Sequence, residues 1–325
     1  MSGKRGESSF GNFLSRGSVI IILILVIAIF AILTGGKNVT WSNIINVLVQ
    51  CSSTGLITIG MAIVIIDQGI DLSVGGIAVF TSSIGIMLMV KSGWPWLVCV
   101  LIMLFIGMLV GFINGITIAK LKVTPFICTM ATMKITQGLA SFLLGGRTIY
   151  GLPEVHRVFG QMDLLYIPVS IWILVIITVA GTLLLRFTFF GRELYAMGGN
   201  PTAAWIAGIN ITRNRITAYM ISGFLSAVAA LIITSRIMCA QVSIGEGSEL
   251  DAIAGAVLGG VRMSGGEGKV WGAVIGALIM VLLNNGLNLL ATSPFIVTAI
   301  KGAVIFAVVV FDAIQKARFA KVRMG

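Results

Sequence analysis

The chain has 325 residues, 58% of them hydrophobic and only 10% charged, with a mean hydropathy of +1.07. A soluble domain carries charge on about a quarter of its residues, so this composition excludes a soluble globular protein and predicts that most of the surface faces lipid. The net charge of +11 does not indicate nucleic-acid binding, because the basic residues lie in short breaks between apolar runs rather than on one amphipathic face. No nucleic-acid partner is therefore expected.

Apolar runs follow one another along almost the whole chain, and a run of about 20 residues is long enough to cross a bilayer as a helix. They predict an all-α polytopic membrane protein with about ten transmembrane helices, at 18–34, 43–66, 72–90, 95–119, 123–145, 168–186, 216–234, 250–261, 270–290 and 294–311. The run 250–261 is short for a crossing, and both a tilted short span and a half-helix buried among other helices remain open. The first run follows basic residues as a signal peptide does. The residues after it offer no clean cleavage site, so we expect it to stay as a helix.

The positions of Lys and Arg predict that both termini are cytoplasmic, since cytoplasmic segments of membrane proteins are enriched in these residues. When 250–261 counts as a crossing, most of the basic residues fall on the inner side. If it does not cross, the C-terminal basic cluster moves outside. The resulting division is a cytoplasmic N-terminal tail at 1–17, a transmembrane domain at 18–312 and a basic cytoplasmic C-terminal tail at 313–325. The largest interior polar break, 187–215, becomes a cytoplasmic loop.

Glycines recur at four-residue intervals and form stripes of small residues on single helix faces. Small residues let the backbones of membrane helices approach closely, so the stripes predict tight helix contacts. The positions are Gly107, Gly111 and Gly115, then Gly255 and Gly259, then Gly272 and Gly276.

Two stretches of the chain, 69–134 and 249–301, carry similar residues in the same order. The matched positions are Asp71, Asn114 and Lys134 in the first stretch and Asp251, Asn285 and Lys301 in the second. In the expected topology their first helices start on opposite sides of the membrane. The hypothesis is an inverted repeat with the substrate path near its interface. The spacing differs between the copies, so coincidence remains an alternative to common origin.

The sequence offers little chemistry for catalysis. It has neither the glycine spacing of a phosphate-binding loop nor a serine, cysteine or carboxylate constellation typical of hydrolysis. Its four cysteines lack the spacing of a metal site and indicate no disulfide framework. We therefore expect no enzyme activity, no metal and no cofactor. The single histidine, His156, is expected to be solvated in an outer loop.

Polar residues inside or beside the runs are the candidates for a translocation path or gate. They are Asp71, Asn114, Lys134, Glu249, Asp251, Asn284, Asn285, Asn288 and Lys301. The carboxylates lie at run boundaries, where they can instead satisfy free amides at helix starts, and lysines inside spans can snorkel to the surface. Asparagines can hydrogen-bond neighbouring helices or line a path for a neutral polar solute such as a sugar. The sequence leaves these alternatives open.

The loop 187–215 predicts a short helix with defined ends. Proline is favoured at the first position of a helix, so Pro201 is expected to start this helix and Gly208 to end it. A structured loop on the inner side of a membrane protein usually engages a soluble partner, and we interpret this one as the docking site of an ATPase. An ordinary interfacial helix is the alternative. The residues assigned to docking are Gly198, Asn200, Pro201, Thr202, Ala203, Ala204 and Gly208.

Five stretches, in the same order, resemble the permease subunits of ribose-type ABC sugar importers over nearly the full length of the chain. They are GIDLSVG at 69–75, GRELYAMGGNPTAAWIAGI at 191–209, ELDAIAGAVLGG at 249–260, SGGEGKVWG at 264–272 and LNNGLNLL at 283–290. The stretch TAAWIAG looks like the family's coupling helix, but Thr202 stands where an acidic residue is common. Asp67 and Gln68 replace the small residues often found before GIDLS.

The resemblance implies a permease domain at 18–312 in the bacterial inner membrane, with a monosaccharide as cargo. The partners it implies are a cytoplasmic ABC ATPase, a second permease copy that is identical or closely homologous, a periplasmic sugar-binding protein and membrane lipid. The alternative is an ion-coupled secondary transporter or channel for small polar solutes. Such a protein usually places carboxylates inside its spans, and their position at run boundaries here weighs against it.

Overall fold

Helices make up most of the chain in the computed structural model, which describes the backbone of residues 7–324 and the side chains of residues 19–310 and 314. The helices are α1 (Glu7–Leu33), α2 (Trp41–Ile66), α3 (Val74–Val90), α4 (Trp96–Leu121), α5 (Pro125–Leu144), α6 (Val169–Phe187), α7 (Phe189–Gly199), α8 (Pro201–Ile206), α9 (Ile211–Ile237), α10 (Ser248–Leu258), α11 (Val270–Leu289) and α12 (Pro294–Met324). Each apolar run predicted as a span coincides with one of these helices. α1 begins inside the predicted tail 1–17, and α12 continues into the predicted tail 313–325. Residues 1–6 and 325 of those tails lie outside the described residues.

Short irregular elements join the helices. They are 3₁₀ turns at Lys37–Val39 and Glu154–Phe159, and the strands β1 (Ile149–Tyr150), β2 (Asp163–Leu164), β3 (Ile167–Pro168) and β4 (Cys239–Ala240). β1 pairs antiparallel with β4, with Ile149 opposite Ala240, and β2 pairs antiparallel with β3. The first pairing ties the loop after α5 to the chain that leaves α9.

Six of the described helices are long and apolar enough to cross a membrane: α2, α4, α5, α6, α9 and α11. Shorter apolar helices are present at Val19–Leu33, Val74–Val90 and Pro294–Val310. The sequence-based prediction of an all-α polytopic membrane protein is therefore confirmed.

α10 covers only part of a membrane crossing. Its 11 residues rise about 16 Å at 1.5 Å per residue, whereas the hydrocarbon core is about 30 Å thick. Of the two alternatives for 250–261, the helix length excludes a tilted span and leaves a half-helix. The chain from 241 to 247, which precedes α10, is not helical, and neither is the chain from 67 to 73 before α3.

α2 lies at the centre of the helix bundle. The most apolar segment of α2 is 89% buried inside the protein, compared with 17% for α6 and 22% for α5. It packs against α6, α9, α10 and α11, and Leu56, Met61 and Ile66 are fully buried. The surroundings of α2 are therefore other helices, while α5 and α6 leave most of their surface for lipid.

Glycines set the closest helix contacts, as their spacing predicts. A Cβ added at Gly107 would lie 2.5 Å from the carbonyl oxygen of Gly223, and one at Gly115 would lie 2.7 Å from Cα of Ile216. Both distances are shorter than real Cβ contacts, so α4 and α9 meet backbone to backbone. The glycines of α10 and α11 also face each other, because a Cβ at Gly276 would overlap the carbonyl oxygen of Gly255.

His156 is fully buried, so the prediction that it is solvated was wrong. Its Nδ1 accepts a hydrogen bond from the Trp96 indole at 3.2 Å, which leaves Nε2 to donate to the Thr234 hydroxyl at 3.0 Å. The carbonyl oxygen of His156 accepts from the Ser235 hydroxyl. Burial lowers the pKa of His156 from 6.5 to about 4. The neutral ring therefore links the start of α4 to the end of α9.

Candidate functional site

The non-helical segment before α10 meets the first turns of α3 inside the bundle. A Cβ added at Gly245 would lie 2.7 Å from the carbonyl oxygen of Gly75 and 3.2 Å from Cβ of Ala78. One added at Gly75 would lie 2.8 Å from a carboxylate oxygen of Glu249. The first turns of the two short helices are thus in contact. Helix N-termini that meet in this way form polar sites in transporters, because their free amides carry partial positive charge.

Asp71, which lies just before the start of α3, is the centre of a buried polar cluster. Its side chain has no exposed surface. One carboxylate oxygen accepts from the backbone amide of Ser73 at 3.0 Å and from the Ser73 hydroxyl, and the other accepts from the Ser222 hydroxyl of α9 at 2.7 Å. Asp71 therefore accepts a backbone amide near a helix start, one of the alternatives noted from the sequence, but it also lies deep in the bundle. Its position at a run boundary in the sequence gave no sign of this depth.

Asn114 joins the same cluster from α4. Its amide nitrogen donates to the Ser73 hydroxyl at 2.9 Å, and its amide oxygen accepts from the Thr132 hydroxyl of α5 at 2.6 Å. Thr129 closes the cluster, because its hydroxyl accepts from the amide of Leu72 and lies within hydrogen-bond distance of the carbonyl of Ile70. Helices α3, α4, α5 and α9 thus share one hydrogen-bonded network.

The other two predicted carboxylates, Glu249 and Asp251, lie in the first turn of α10. Asp251 accepts from the Lys301 ammonium of α12 at 2.8 Å, with about a fifth of each side chain exposed. Lys301 therefore has a partner on a neighbouring helix rather than snorkelling to the surface. Glu249 is partly buried, and one of its carboxylate oxygens has no hydrogen-bond partner among the described residues. Of the predicted path residues, Glu249 is the one whose carboxylate lies next to Gly75 at the contact between α3 and α10.

The remaining predicted path residues lie elsewhere. Lys134 is exposed on α5 and donates to Gln137 at 3.4 Å, although its counterpart Lys301 is paired. Asn285 exchanges two hydrogen bonds of 3.0 Å with Asn43 and so fastens α11 to the start of α2. The neighbouring positions Asn284 and Asn288 are half-buried and exposed. Helix fastening, the alternative noted from the sequence, is what the contacts of Asn285 show.

The loop between α6 and α9 contains two helices. The Asn200 side chain accepts from the amide of Ala203 at 3.0 Å and caps α8, which begins at Pro201 as predicted. The chain leaves α8 through Gly208, whose φ of +83° favours glycine. Thr188 and Asn210 cap α7 and α9 in the same way. Both ends of α8 are therefore fixed by local hydrogen bonds and turn geometry.

α8 exposes two large apolar residues that the sequence reasoning missed. Ala204 is 4% exposed and faces the protein, whereas Trp205 and Ile206 are 70% and 74% exposed. Thr202 and Ala203 are also exposed. Exposed aromatic residues next to small ones are typical of protein contact surfaces. The available signal was the presence of two large apolar residues, Trp205 and Ile206, in the predicted short helix of an otherwise polar loop.

A second group of residues ties this loop to the bundle, and we call it the inner clamp: Asp67, Gln68, Gly198 and Arg215. Arg215 donates to both carboxylate oxygens of Asp67, at 2.8 and 3.1 Å. Gln68 donates from its side-chain amide to the carbonyl of Gly198 at 2.7 Å. Burial raises the pKa of Asp67, and the hydrogen bonds and charge of Arg215 oppose that rise. The only sequence signal was the departure from small residues at 67 and 68.

A cleft of about 490 Å³ lies between α6, α7 and α11, and none of the predicted path residues lines it. Arg186, Tyr195 and Lys269 are among its walls. It is separate from the Asp71 cluster.

Comparison with known proteins gives one consistent result. The family model described as branched-chain amino acid transport system / permease component matches residues 43–311. The chain is 39% identical to the ribose import permease protein RbsC of Haemophilus influenzae over 96% of this chain and 97% of that protein. It is 44% identical to the protein of the same name in Bacillus subtilis over 83% and 84%, and 33% identical to the galactose/methyl galactoside import permease protein MglC of Escherichia coli K12 over 96% and 98%. No solved structure gives a significant match. The family model matches most of the chain, and the matches to the relatives cover most of both proteins. The chain therefore belongs to the branched-chain amino acid transport system / permease component family.

Proposed function

We propose that this chain is the membrane permease subunit of an ATP-driven ABC importer, and that its cargo is a monosaccharide such as ribose or a related sugar. The observation that carries the proposal is the near full-length similarity to permeases named for ribose and galactose import. Those relatives are bacterial, and the apolar helices suit an inner-membrane protein. The chain itself is a translocation subunit, and ATP hydrolysis belongs to a separate ATPase.

The proposed topology has ten crossings with both termini in the cytoplasm. Its support is the grouping of loop residues into two ends. Asp67, Arg215 and Gly266 lie together at the end that carries α7 and α8, where the amide of Gly266 donates to the carbonyl of Ile66. Trp96, His156 and Thr234 lie together at the other end. The non-helical chain before α10, together with that half-helix, then forms one crossing.

An inverted repeat is part of the proposal. Under the exchange of α2–α5 with α9–α12, the observed helix contacts map onto each other: α4 packs on α9 and α11 on α2, while α3 packs on α5 and α10 on α12. This arrangement supports a substrate path near the Asp71 cluster and Glu249.

The loop helix α8 is the proposed contact with the ATPase. Gly198, Asn200, Pro201, Thr202, Ala203, Ala204 and Gly208 shape or cap it, and the exposed Trp205 and Ile206 supply the apolar surface. Residue 202 is a threonine, so the contact relies on apolar packing rather than on an acidic side chain. A movement of α8 would then switch the helices between outward and inward access.

The proposed partners are the ATPase, a second permease copy, a periplasmic sugar-binding protein and surrounding lipid. The side chains of Asp71 and Asn114 are buried and hydrogen-bonded to protein groups, so they would contact a neutral sugar only after the surrounding helices separate. Selectivity is shared with the binding protein, which delivers the sugar to the outer face.

The test is uptake of radiolabelled sugars into proteoliposomes that contain this chain, with and without its ABC ATPase and sugar-binding protein. We expect uptake only when both partners and ATP are present. Uptake by the chain alone, driven by a proton or sodium gradient, would instead support an ion-coupled secondary transporter, for which the buried Asp71 would be the carboxylate.

A further inference from the structure

The inner clamp connects three helices at one point. Asp67 and Gln68 continue α2 as a rigid turn, because the amides of residues 67 to 69 donate to the carbonyls of Val64 and Ile65. Gln68 then holds Gly198 at the end of α7, and Asp67 holds Arg215 in the first turns of α9. The central helix of the bundle is therefore bonded directly to the loop that carries α8.

Packing and backbone geometry show that this contact is close and specific. The Asp67 side chain is only 1% exposed, and its pairing with Arg215 is bidentate, which fixes the relative orientation of the two groups. Gln68 has a φ of +63°, a left-handed conformation that residues other than glycine rarely adopt. Glycine would fit this backbone conformation better than glutamine does, but glycine could not make the hydrogen bond from the Gln68 side chain to the carbonyl of Gly198.

The same segment leads into the Asp71 cluster. Asp67 and Asp71 are four residues apart, which is at most about 14 Å of extended chain. Asp71 is bonded to Ser222 of α9 and to Ser73 at the start of α3. A displacement of α7 would therefore be transmitted to the predicted path residues through the short segment 67–71, which hydrogen bonds hold at both ends.

We propose that the inner clamp is the mechanical link between the α8 loop and the translocation path, with Gln68 as the residue that positions α7 against α2. This inference rests on the proposed function, since it assumes that α8 receives its movement from an ATPase. In the intact transporter, breaking the link leaves ATP hydrolysis running while sugar movement per ATP falls.

The test variant is Gln68→Glu, which keeps the shape of the side chain but replaces the amide donor with a carboxylate that faces the Gly198 carbonyl. The matched control is Gln161→Glu, because Gln161 makes the same type of bond, to the carbonyl of Arg236 at 3.0 Å, at the opposite end of α9. ATP hydrolysis and sugar uptake are measured in parallel in proteoliposomes with the ATPase and binding protein. We expect uptake per ATP to fall at least about fivefold in Gln68→Glu, the factor that one lost hydrogen bond supplies, and to stay at the wild-type value in Gln161→Glu.

A second variant covers the case in which Gln68→Glu fails to assemble. Asp67→Asn keeps the size and one acceptor of the side chain but removes the charge that pairs with Arg215, and it should lower the same ratio. An unchanged ratio in an assembled Gln68→Glu complex, or hydrolysis and uptake falling in equal proportion in every variant that assembles, would overturn the proposal. Failure of the wild-type complex to couple uptake to ATP would reject the proposed function instead, so the two failures are distinguishable.

Discussion

Replacement of Gly198 by alanine is expected to destabilise the protein, although it adds only one methyl group. The Cβ would overlap the carbonyl oxygen of Ile66 and lie 2.7 Å from the amide nitrogen of Gly266. Those two groups are hydrogen-bonded to each other at 2.9 Å, so neither can move without weakening that bond. The methyl group therefore pushes α7 away from the end of α2.

The magnitude follows from three contributions. Overpacking of a tight contact costs about 1–3 kcal/mol, and loss of the hydrogen bond between Gly266 and Ile66 costs about 1 kcal/mol. Alanine regains up to about 1 kcal/mol over glycine in a helix. The net expectation is about 1–3 kcal/mol of destabilisation, together with a displaced α8 and reduced ATP-coupled uptake.

The assay is thermal unfolding in detergent, followed by uptake in proteoliposomes with the partner subunits. Gly199→Ala is the control, because it changes the next residue of the same helix and its Cβ would meet nothing within 4 Å. Gly199→Ala should melt no lower than the wild type, because alanine favours the helix, and should show wild-type uptake. Equal melting temperatures and equal uptake for the two alanine variants would refute the reasoning that α7 is in close contact with α2.

Three further predictions concern other parts of the molecule. Because the pKa of His156 is lowered from 6.5 to about 4, its contribution to stability is complete above pH 6.5 and declines as the pH falls towards 4, with about 2 kcal/mol lost at pH 5. The variant His156→Gln should therefore lack this part of the pH dependence of thermal unfolding. An unaltered pH profile in the variant would contradict the prediction. Lys301→Gln should lower the free energy of unfolding by about 2 kcal/mol, because it leaves the Asp251 carboxylate without its cation. The double variant with Asp251→Asn should recover most of that loss in the same assay, whereas additive losses would show that the two residues are not coupled. Trp205→Ser should leave unfolding unchanged but weaken binding of the ATPase about 30-fold, as loss of an aromatic anchor does, while Trp94→Ser, an exposed tryptophan of the opposite end, should not alter that affinity.

The sequence predicted those features that depend on local pattern. Each apolar run became a helix, Pro201 started α8, and the four-residue spacing of Gly107, Gly111 and Gly115 marked the contact between α4 and α9. These features succeed because hydrophobic length, proline and glycine act within a few residues of chain. Their physical causes can therefore be read one helix at a time.

Contacts between distant residues could not be predicted in this way. Asp71 and Asp251 occupy matched positions in similar stretches, yet α3 begins after Asp71 whereas α10 begins before Asp251. The helical Asp251 consequently reaches Lys301, while Asp71 is held by serines. Likewise, Asp67 and Arg215 are 148 residues apart, and no periodicity connects them. The candidate site is therefore defined by tertiary packing that the sequence pattern does not contain.

The backbone contact between α4 and α9 has a consequence for biosynthesis. Gly107 and Gly223 touch in the folded protein, but about 115 residues of chain must be synthesised between them, which takes roughly 6–23 s at translation rates of about 5–20 residues per second. During that interval α4 is already made and its glycine groove has no partner. The groove must remain uncovered, or covered only by lipid and the insertion machinery, until α9 enters the bilayer. The contact between α4 and α9 therefore forms late, only after the first half of the chain has been synthesised.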